Sequence, residues 1–435
     1  MFPRLMEQRG PGVPIFAERH ADGRFTVCCG WQNLQSAGKA LGMRLSRIPQ
    51  RVATVLAPLS VFFRSHPQGQ HFRLLCWLLV SLLLCQGSAT LKQLVRLLPS
   101  RLHYWSLLRL LRAGYWDAAD LLAELARTVL ATLPPPADGT LYLIADTTLR
   151  GKAGRKQPLA HRTRLNQHEP FVFGHSVLLV LAHWGRLRIP IGAVVLDPKR
   201  KSQQNIQWRR LLRQFQPPAW CQRVLVIADA GFASKANLRA IQRRGWCYVT
   251  CLPRSWKLSD GTHLRDLARH LPKSRYHRVA SHTPDRRRRD YWVYLRRAEL
   301  KLLGDVTVLL SKKRRNSGPQ QVKLIVTNLE PVSAAAMLST YARRWGVEVT
   351  FKELKSGLHL GQMQVTRRPE RVVHALLLPV LAYLLLLRLY GRTLDPEQGA
   401  SLFALKQRFA EEVGQEHLEH MERKWRRKLE QVKAA

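Results

Sequence analysis

LYLIAD (Leu141–Asp146) and RVLVIAD (Arg223–Asp229) decide the fold: each is a short apolar run that reaches an alanine and stops on an aspartate. Apolar runs of this length between polar turns read as buried strands. Next to the first lie FVFGHSVLLVLAHW (171–184) and LRIPIGAVVL (187–196), which form a hairpin across Gly185-Arg186. A helical stretch at Asn205–Phe215, the strand RVLVIA, a helix at Lys235–Arg244 and WCYVTCL (246–252) follow. The order β-β-β-α-β-α-β predicts a mixed α/β sheet with helical crossovers. Each aspartate then projects from the carboxyl end of a buried strand, the edge where open α/β sheets bind ligands. A carboxylate there is costly unless paired, hydrogen-bonded or holding a cation. An Asp after a strand also commonly caps a turn or helix, so neither one alone assigns a function.

Outward from this unit, Ala57–Leu133 has helical spacing, as in LKQLVRLL (91–98) and LLAELARTVL (121–130). Pro99-Ser100 separates two short basic helices, which suits a helix-turn-helix or a plain helical hairpin. The run Pro134–Gly139 breaks any helix and marks a boundary. Beyond Pro253, YWVYLRR, VTVLLSK and VKLIVTN form a strand-rich block, and helices return at Ser333–Gly357 and Glu370–Tyr390. The expected parts are an irregular extension (1–56), a DNA-binding helical domain (57–133) and the first part of a catalytic core (140–252). A β-rich insertion (253–330), the core's helices (331–392) and a basic helical C-terminal segment (393–435) complete the chain.

Composition constrains the partner. With 71 Lys plus Arg against 29 Asp plus Glu, the 435-residue chain carries a formal charge of +42, which predicts a polyanion partner and binding that weakens steeply with salt. Basic runs at Arg286–Arg289, Lys312–Arg315 and KWRRK near the C-terminus spread that charge. The cysteines at 28, 29, 76, 85, 221, 247 and 251 show neither a disulfide framework nor paired zinc spacing. Cys247 and Cys251 are expected as buried thiols, and a reducing compartment is expected. The opening residues lack a secretory pattern, and Met43 is an alternative start. Leu74–Cys85 is too short to span a bilayer and Ala375–Leu387 contains Pro379, so both are expected as buried core helices with no membrane partner.

In YARRWGVEVTFKELKSG, Tyr341, Arg344, Glu348 and Lys355 fall at roughly 0°, 300°, 340° and 320° on a continuous helix, one narrow stripe. Ala342, Trp345 and Val349 flank it on one side and Val347, Phe351, Leu354 and Leu358 on the other. Arg343, Gly346, Thr350 and Glu353 are expected on the solvated arc. A polar stripe between two apolar ones faces a cleft, whereas Glu348 and Lys352 on an ordinary exposed helix would be an i,i+4 pair. Asp146, Asp229 and Glu348 converging on a cleft suit two hard cations: two Mg²⁺ ions, with Mn²⁺ as a substitute. Arg344 and Lys355 would clamp phosphate and Tyr341 would donate a hydrogen bond to it.

At these residues the sequence resembles bacterial insertion-sequence DDE transposases of the insertion-sequence-four type, defined by Y-x2-R-x3-E-x6-K, which Tyr341, Arg344, Glu348 and Lys355 match completely. DAGFAS, beginning at Asp229, fits the family's second motif. The first aspartate, often part of a DDT triplet, here stands in Ala145-Asp146-Thr147. The resemblance covers about residues 140–392. It implies a ribonuclease H-like core with a mostly β insertion before the Glu-bearing helix. It also implies a homodimer on double-stranded DNA that binds terminal inverted repeats, cuts through hairpins and joins 3′ ends to target DNA. A base flipped onto an aromatic is implied, with Trp292 the first candidate and Trp256 the second, either of which is otherwise core. Lys152, Arg155 and Lys156 would contact flanking DNA or lie in a solvated loop. The alternatives are a non-catalytic DNA-binding descendant and a ribonuclease H-like nuclease without strand transfer.

Overall fold

The computed structural model describes residues 17–19, 25–27 and 47–434, apart from 64–69, 100–101, 113–115, 155, 165–169, 201, 284–286, 366–367 and 397. Cys28, Cys29, Met43, Arg155 and Arg286 therefore lie outside the described residues. A small antiparallel ribbon pairs β1 (Ala17–Arg19) with β2 (Phe25–Val27). The helical unit begins earlier than its expected start at Ala57. Helix α1 spans Gln50–Leu56 and buries Val52 and Leu56, so part of the supposedly irregular extension belongs to the core. α2 (Gln70–Leu84), α3 (Leu91–Arg96), α4 (Tyr104–Leu110) and α5 (Ala118–Thr132) follow. Thr90 caps α3 and Asp117 caps α5 through their side chains.

The central sheet starts with β3 (Thr140–Gly151), β4 (His161–Thr163), β5 (Val172–Trp184) and β6 (Leu187–Val195). α6 (Gln203–Gln214) leads to β7 (Arg223–Ala228), and α7 (Lys235–Gln242) leads to β8 (Cys247–Cys251). Five of these strands lie in the order β6-β5-β3-β7-β8. β5 is antiparallel to β3 and β6, whereas β3, β7 and β8 are mutually parallel. Three antiparallel strands followed by two parallel crossovers give the ribonuclease H-like topology. β3 is longer than its sequence suggested. Asp146 sits in the middle of that strand, not at its end, because β5 pairs with it as far as Gly151. Asp229 does follow the last residue of β7.

The strand-rich block continues this sheet. After α8 (Leu264–His270) come β9 (His277–His282), β10 (Arg288–Leu300), β11 (Gly304–Lys312) and β12 (Lys323–Thr327). β12 pairs antiparallel with β8, so the strands run on without a gap in the order β8-β12-β11-β10-β9. α9 (Ala334–Ala342) buries Met337 against Val293, Leu309 and Ile325 of this part. α10 (Trp345–Ser356) instead crosses β3, β5 and β6.

α11 (Pro369–Tyr390) is long and apolar enough to cross a membrane, yet 83% of its apolar window is buried inside the protein. It packs on β6, α2 and α5, and α2 is likewise buried. α12 (Leu402–Ala434) starts against this core. One hydrophobic cluster runs from Val52 through the sheet to Val413, and His374 of α11 stacks on Trp116 at 4.3 Å. The Pro134–Gly139 break is thus a turn at the surface of one continuous core.

The β5–β6 turn is held from outside. Gly185 has φ +55°, and a Cβ there would lie 2.3 Å from the Pro396 carbonyl oxygen, which accepts the Arg186 N–H at 2.7 Å. Gly185→Ala combines a left-handed backbone with that clash and is expected to cost about 1–3 kcal/mol, measured as a lowered midpoint in urea unfolding.

Candidate active site

The stripe expected on one continuous helix is carried across a break. α9 ends at Ala342 and α10 begins at Trp345, and the link is closed by i,i+3 bonds: Arg343 N–H to Thr340, Arg344 N–H to Tyr341 and Gly346 N–H to Arg343. The turn falls where the chain passes from the insertion side of the sheet to β3. It rests on Tyr142 of β3, whose ring lies 4.3 Å from the Arg343 guanidinium carbon.

Arg344 organises what lies beneath. Its Nη1 is 3.4 Å from Asp146 Oδ2, and its Nη2 donates to Glu348 Oε1 one helical turn along. Asp146 also accepts the Thr147 N–H at 2.7 Å, and Asp229 accepts the Gly231 N–H at 2.9 Å in a tight turn. The Asp146 carboxyl is pushed up to about 6, first by burial and next by the Asp229 charge, with Glu348 adding to it. Burial opposes the Arg344 charge, but Tyr341, Glu348 and Asp146 outweigh it and hold its pKa above the usual range. Two strands and one helix therefore bring three carboxylates within electrostatic reach of one another.

Tyr341 is the fourth group at this place. Burial pushes its phenol well above the usual range, and the neighbouring Cys251 and Asp229 add to that. Lys355, two turns beyond Glu348, is depressed by burial and by Arg150. Lys152 donates from Nζ to the Gly361 carbonyl and is depressed by the same two causes. Lys156 is exposed in the loop after β3. Trp292, on β10, and Trp256 are partly buried against the core, under Arg315 at 5.2 Å and Lys235 at 5.9 Å. Strand register puts Trp292 beyond the same sheet edge as Asp229, four strands away, about 19 Å sideways at 4.8 Å per strand.

Several expectations fail on the helix. Trp345, expected on a buried flank, is 62% exposed, whereas Thr350 and Glu353, expected in solvent, are buried. Gly346 packs on His183, where a Cβ would come within 3.1 Å. Glu353 pairs with Arg188 of β6 at 2.9 Å and accepts the Leu402 N–H of α12 at 3.3 Å. The small residues Gly346 and Thr350 on Glu353's arc were the available clue, because small side chains mark close packing of a helix on a sheet. Lys352 is exposed, and Glu348 pairs with Arg344 in its place. Cys247 and Cys251 are only half-buried.

Asp146, Asp229 and Glu348 offer only oxygen, which suits a hard divalent cation, and the mutual repulsion felt at Asp146 is the kind a cation relieves. Among the described residues no three His, Cys, Asp or Glu side chains are gathered tightly enough to hold an ion as they stand. Arg344 lies between two of the three carboxylates.

Residues 175–385 match the family model described as a transposase DDE domain, and residues 62–170 match that of a DDE superfamily endonuclease. The chain is thus similar to DDE transposase domains over most of its sheet and the helices that follow it. Asp229 and Glu348 fall within the first match and Asp146 within the second. No curated protein matches the chain. Among solved structures, a piggyBac transposase synaptic complex with hairpin DNA is similar at 10% identity, with a TM-score of 0.46, covering 85% of this chain and 78% of that one.

The raised Asp146 value has a thermodynamic consequence. Between the ordinary value of 3.8 and about 6 the folded state binds more protons than the unfolded one, so stability falls as pH rises through that window and stays lower above it. Asp146→Asn is expected to raise unfolding free energy by about 1–3 kcal/mol at pH 8 and little at pH 4, measured by urea titration at both. An equal gain at both pH values would exclude the charge as its cause.

Proposed function

We propose that this chain is the transposase of a bacterial insertion sequence of the insertion-sequence-four type, acting in the cytoplasm at the nucleoid. It binds the terminal inverted repeats of its element as a dimer on DNA. It then cleaves the ends through hairpin intermediates and joins the 3′ ends to target DNA. The observation that carries this reading is Arg344 joined to both Asp146 and Glu348 while the Asp229 charge acts on Asp146.

Asp146, Asp229 and Glu348 would hold Mg²⁺, or Mn²⁺ in its place, and the bound ions supply the Lewis acidity that activates a water or 3′-hydroxyl and steadies the leaving oxygen. Arg344, as a forked donor, clamps a phosphate oxygen while it keeps Asp146 and Glu348 in place. Tyr341 donates its phenolic proton in a hydrogen bond, and burial pushes its pKa further above neutrality. Lys355 and Lys152 add positive charge along the strand path, with Lys156 in the flanking loop, and Arg155 is a further candidate DNA contact. Trp292 is the first candidate to receive a flipped base. Trp256 is the second, and through Lys235 it lies nearer the Asp229 loop.

The test uses full-length protein, Mg²⁺ and a duplex bearing the inverted repeats that flank the gene. Glu348→Gln is expected to keep DNA affinity within about twofold and to lower cutting by at least about a hundredfold. Wild-type protein that binds this duplex without cutting it would instead identify a DNA-binding descendant. Cutting without joining would identify a nuclease. Trp292→Ala is expected to slow hairpin formation more than the first nick in a gel time course, and equal slowing of both would make the ring a core residue.

A further inference from the structure

β3 and α10 run side by side in the same direction. Tyr142 meets Arg343, Asp146 meets Arg344, and Arg150 acts on Lys355. Residues 142, 146 and 150 share one face of the strand, because side chains alternate. Arg150 thus lies about 13 Å beyond Asp146, and Lys355 lies about 10 Å beyond Glu348. Lys152 joins them through the loop after α10, by its bond to the Gly361 carbonyl.

The cluster is built, not incidental. Gly361 has φ +77°, and a Cβ there would lie 2.3 Å from Arg150 Cγ, so the arginine stem is seated on a position that only glycine leaves open. Arg150 Nε is buried without a hydrogen-bond partner. Among the described residues, neither the Arg150 nor the Lys355 side chain has an ion pair or hydrogen bond. Burial depresses both lysines, and the Arg150 charge depresses them further. Cations packed this closely without a counter-charge raise the free energy of the free protein, and an anion placed among them lowers it.

We propose that Arg150, Lys152 and Lys355 form a second phosphate subsite, with Arg150 as its forked donor. It takes a backbone phosphate of the same DNA strand about two nucleotides from the phosphate at the carboxylates, since successive phosphates of a wound strand lie roughly 7 Å apart, about twice the axial rise. This inference rests on the reading that the carboxylates cut DNA.

The test is binding of wild type and Arg150→Gln to the inverted-repeat duplex, with a single methylphosphonate moved phosphate by phosphate from the cut. Neutralising the phosphate about two nucleotides away is expected to weaken wild type about tenfold. Arg150→Gln is expected to bind the unmodified duplex about tenfold more weakly and to lose nothing further at that position, while staying sensitive elsewhere. Arg150→Lys keeps the charge without the fork and is expected to recover only part of the loss. Unchanged affinity of Arg150→Gln, or full sensitivity retained at that phosphate, overturns the subsite. Loss of sensitivity at every phosphate marks a misfolded Arg150→Gln, and Arg150→Lys then carries the comparison by the same criterion. Failure of wild type to cut the unmodified duplex with Mg²⁺ overturns the reading beneath it, whereas normal cutting with an unmoved map overturns the subsite alone.

Discussion

Three carboxylates can share a half-buried cleft only when something positive stands among them, and here Arg344 does. It is 21% exposed and faces Asp146 at 18% and Glu348 at 32%, so water screens these charges weakly and the guanidinium must do so. Other parts of the site follow from that requirement. The turn between α9 and α10 delivers Arg344 from above the cleft, Tyr142 supports Arg343 beside it, and Cys251 and Tyr341 close the flank.

A second charge pair does a different job. Arg188 and Glu353 are buried behind α10, at 16% and 8% exposure, and tie the helix to β6 while the Leu402 N–H ties it to α12. Buried pairs of this kind add little net stability against a well-packed apolar substitute, but breaking one leaves an uncompensated charge. Their service is to fix where the helix sits. Lys406 of α12 adds to it by donating to the carbonyls of Gly357, at the end of α10, and of Cys85. The segment bearing Glu348 is thus fastened from the sheet, from the C-terminal helix and from the N-terminal helical unit.

Much of this was legible in the sequence, for physical reasons. Strands buried on both faces leave uninterrupted apolar runs, so LYLIA and VLVIA declared themselves as strands, while which strands are parallel neighbours emerged only from the pairing. Helical spacing placed Tyr341, Arg344, Glu348 and Lys355 together; the first three do interact although the helix is broken between them, whereas Lys355 lies farther along beside Arg150. The break was invisible because Arg343 and Arg344 are good helix formers, and their i,i+3 bonding comes from the tertiary passage over β3. Glu353 was misplaced for a related reason, since periodicity shows which residues share a face but not what that face meets. The length of β3 was hidden because Asp146, Thr147 and Thr148 read as a turn, whereas pairing with β5 keeps them extended.

The insertion's strands are hydrogen-bonded to β8 through β12, with no linker between them and the strands that bear the aspartates. A long twisted sheet resists bending across its strands, since every bend would have to break ladder bonds. The span from Asp229 to Trp292 therefore behaves as a fixed template. Under the proposed function, a double helix laid over it would have to supply the deformation itself, and the stiffness of the nucleotide sequence near the element's end would then influence how readily it is processed.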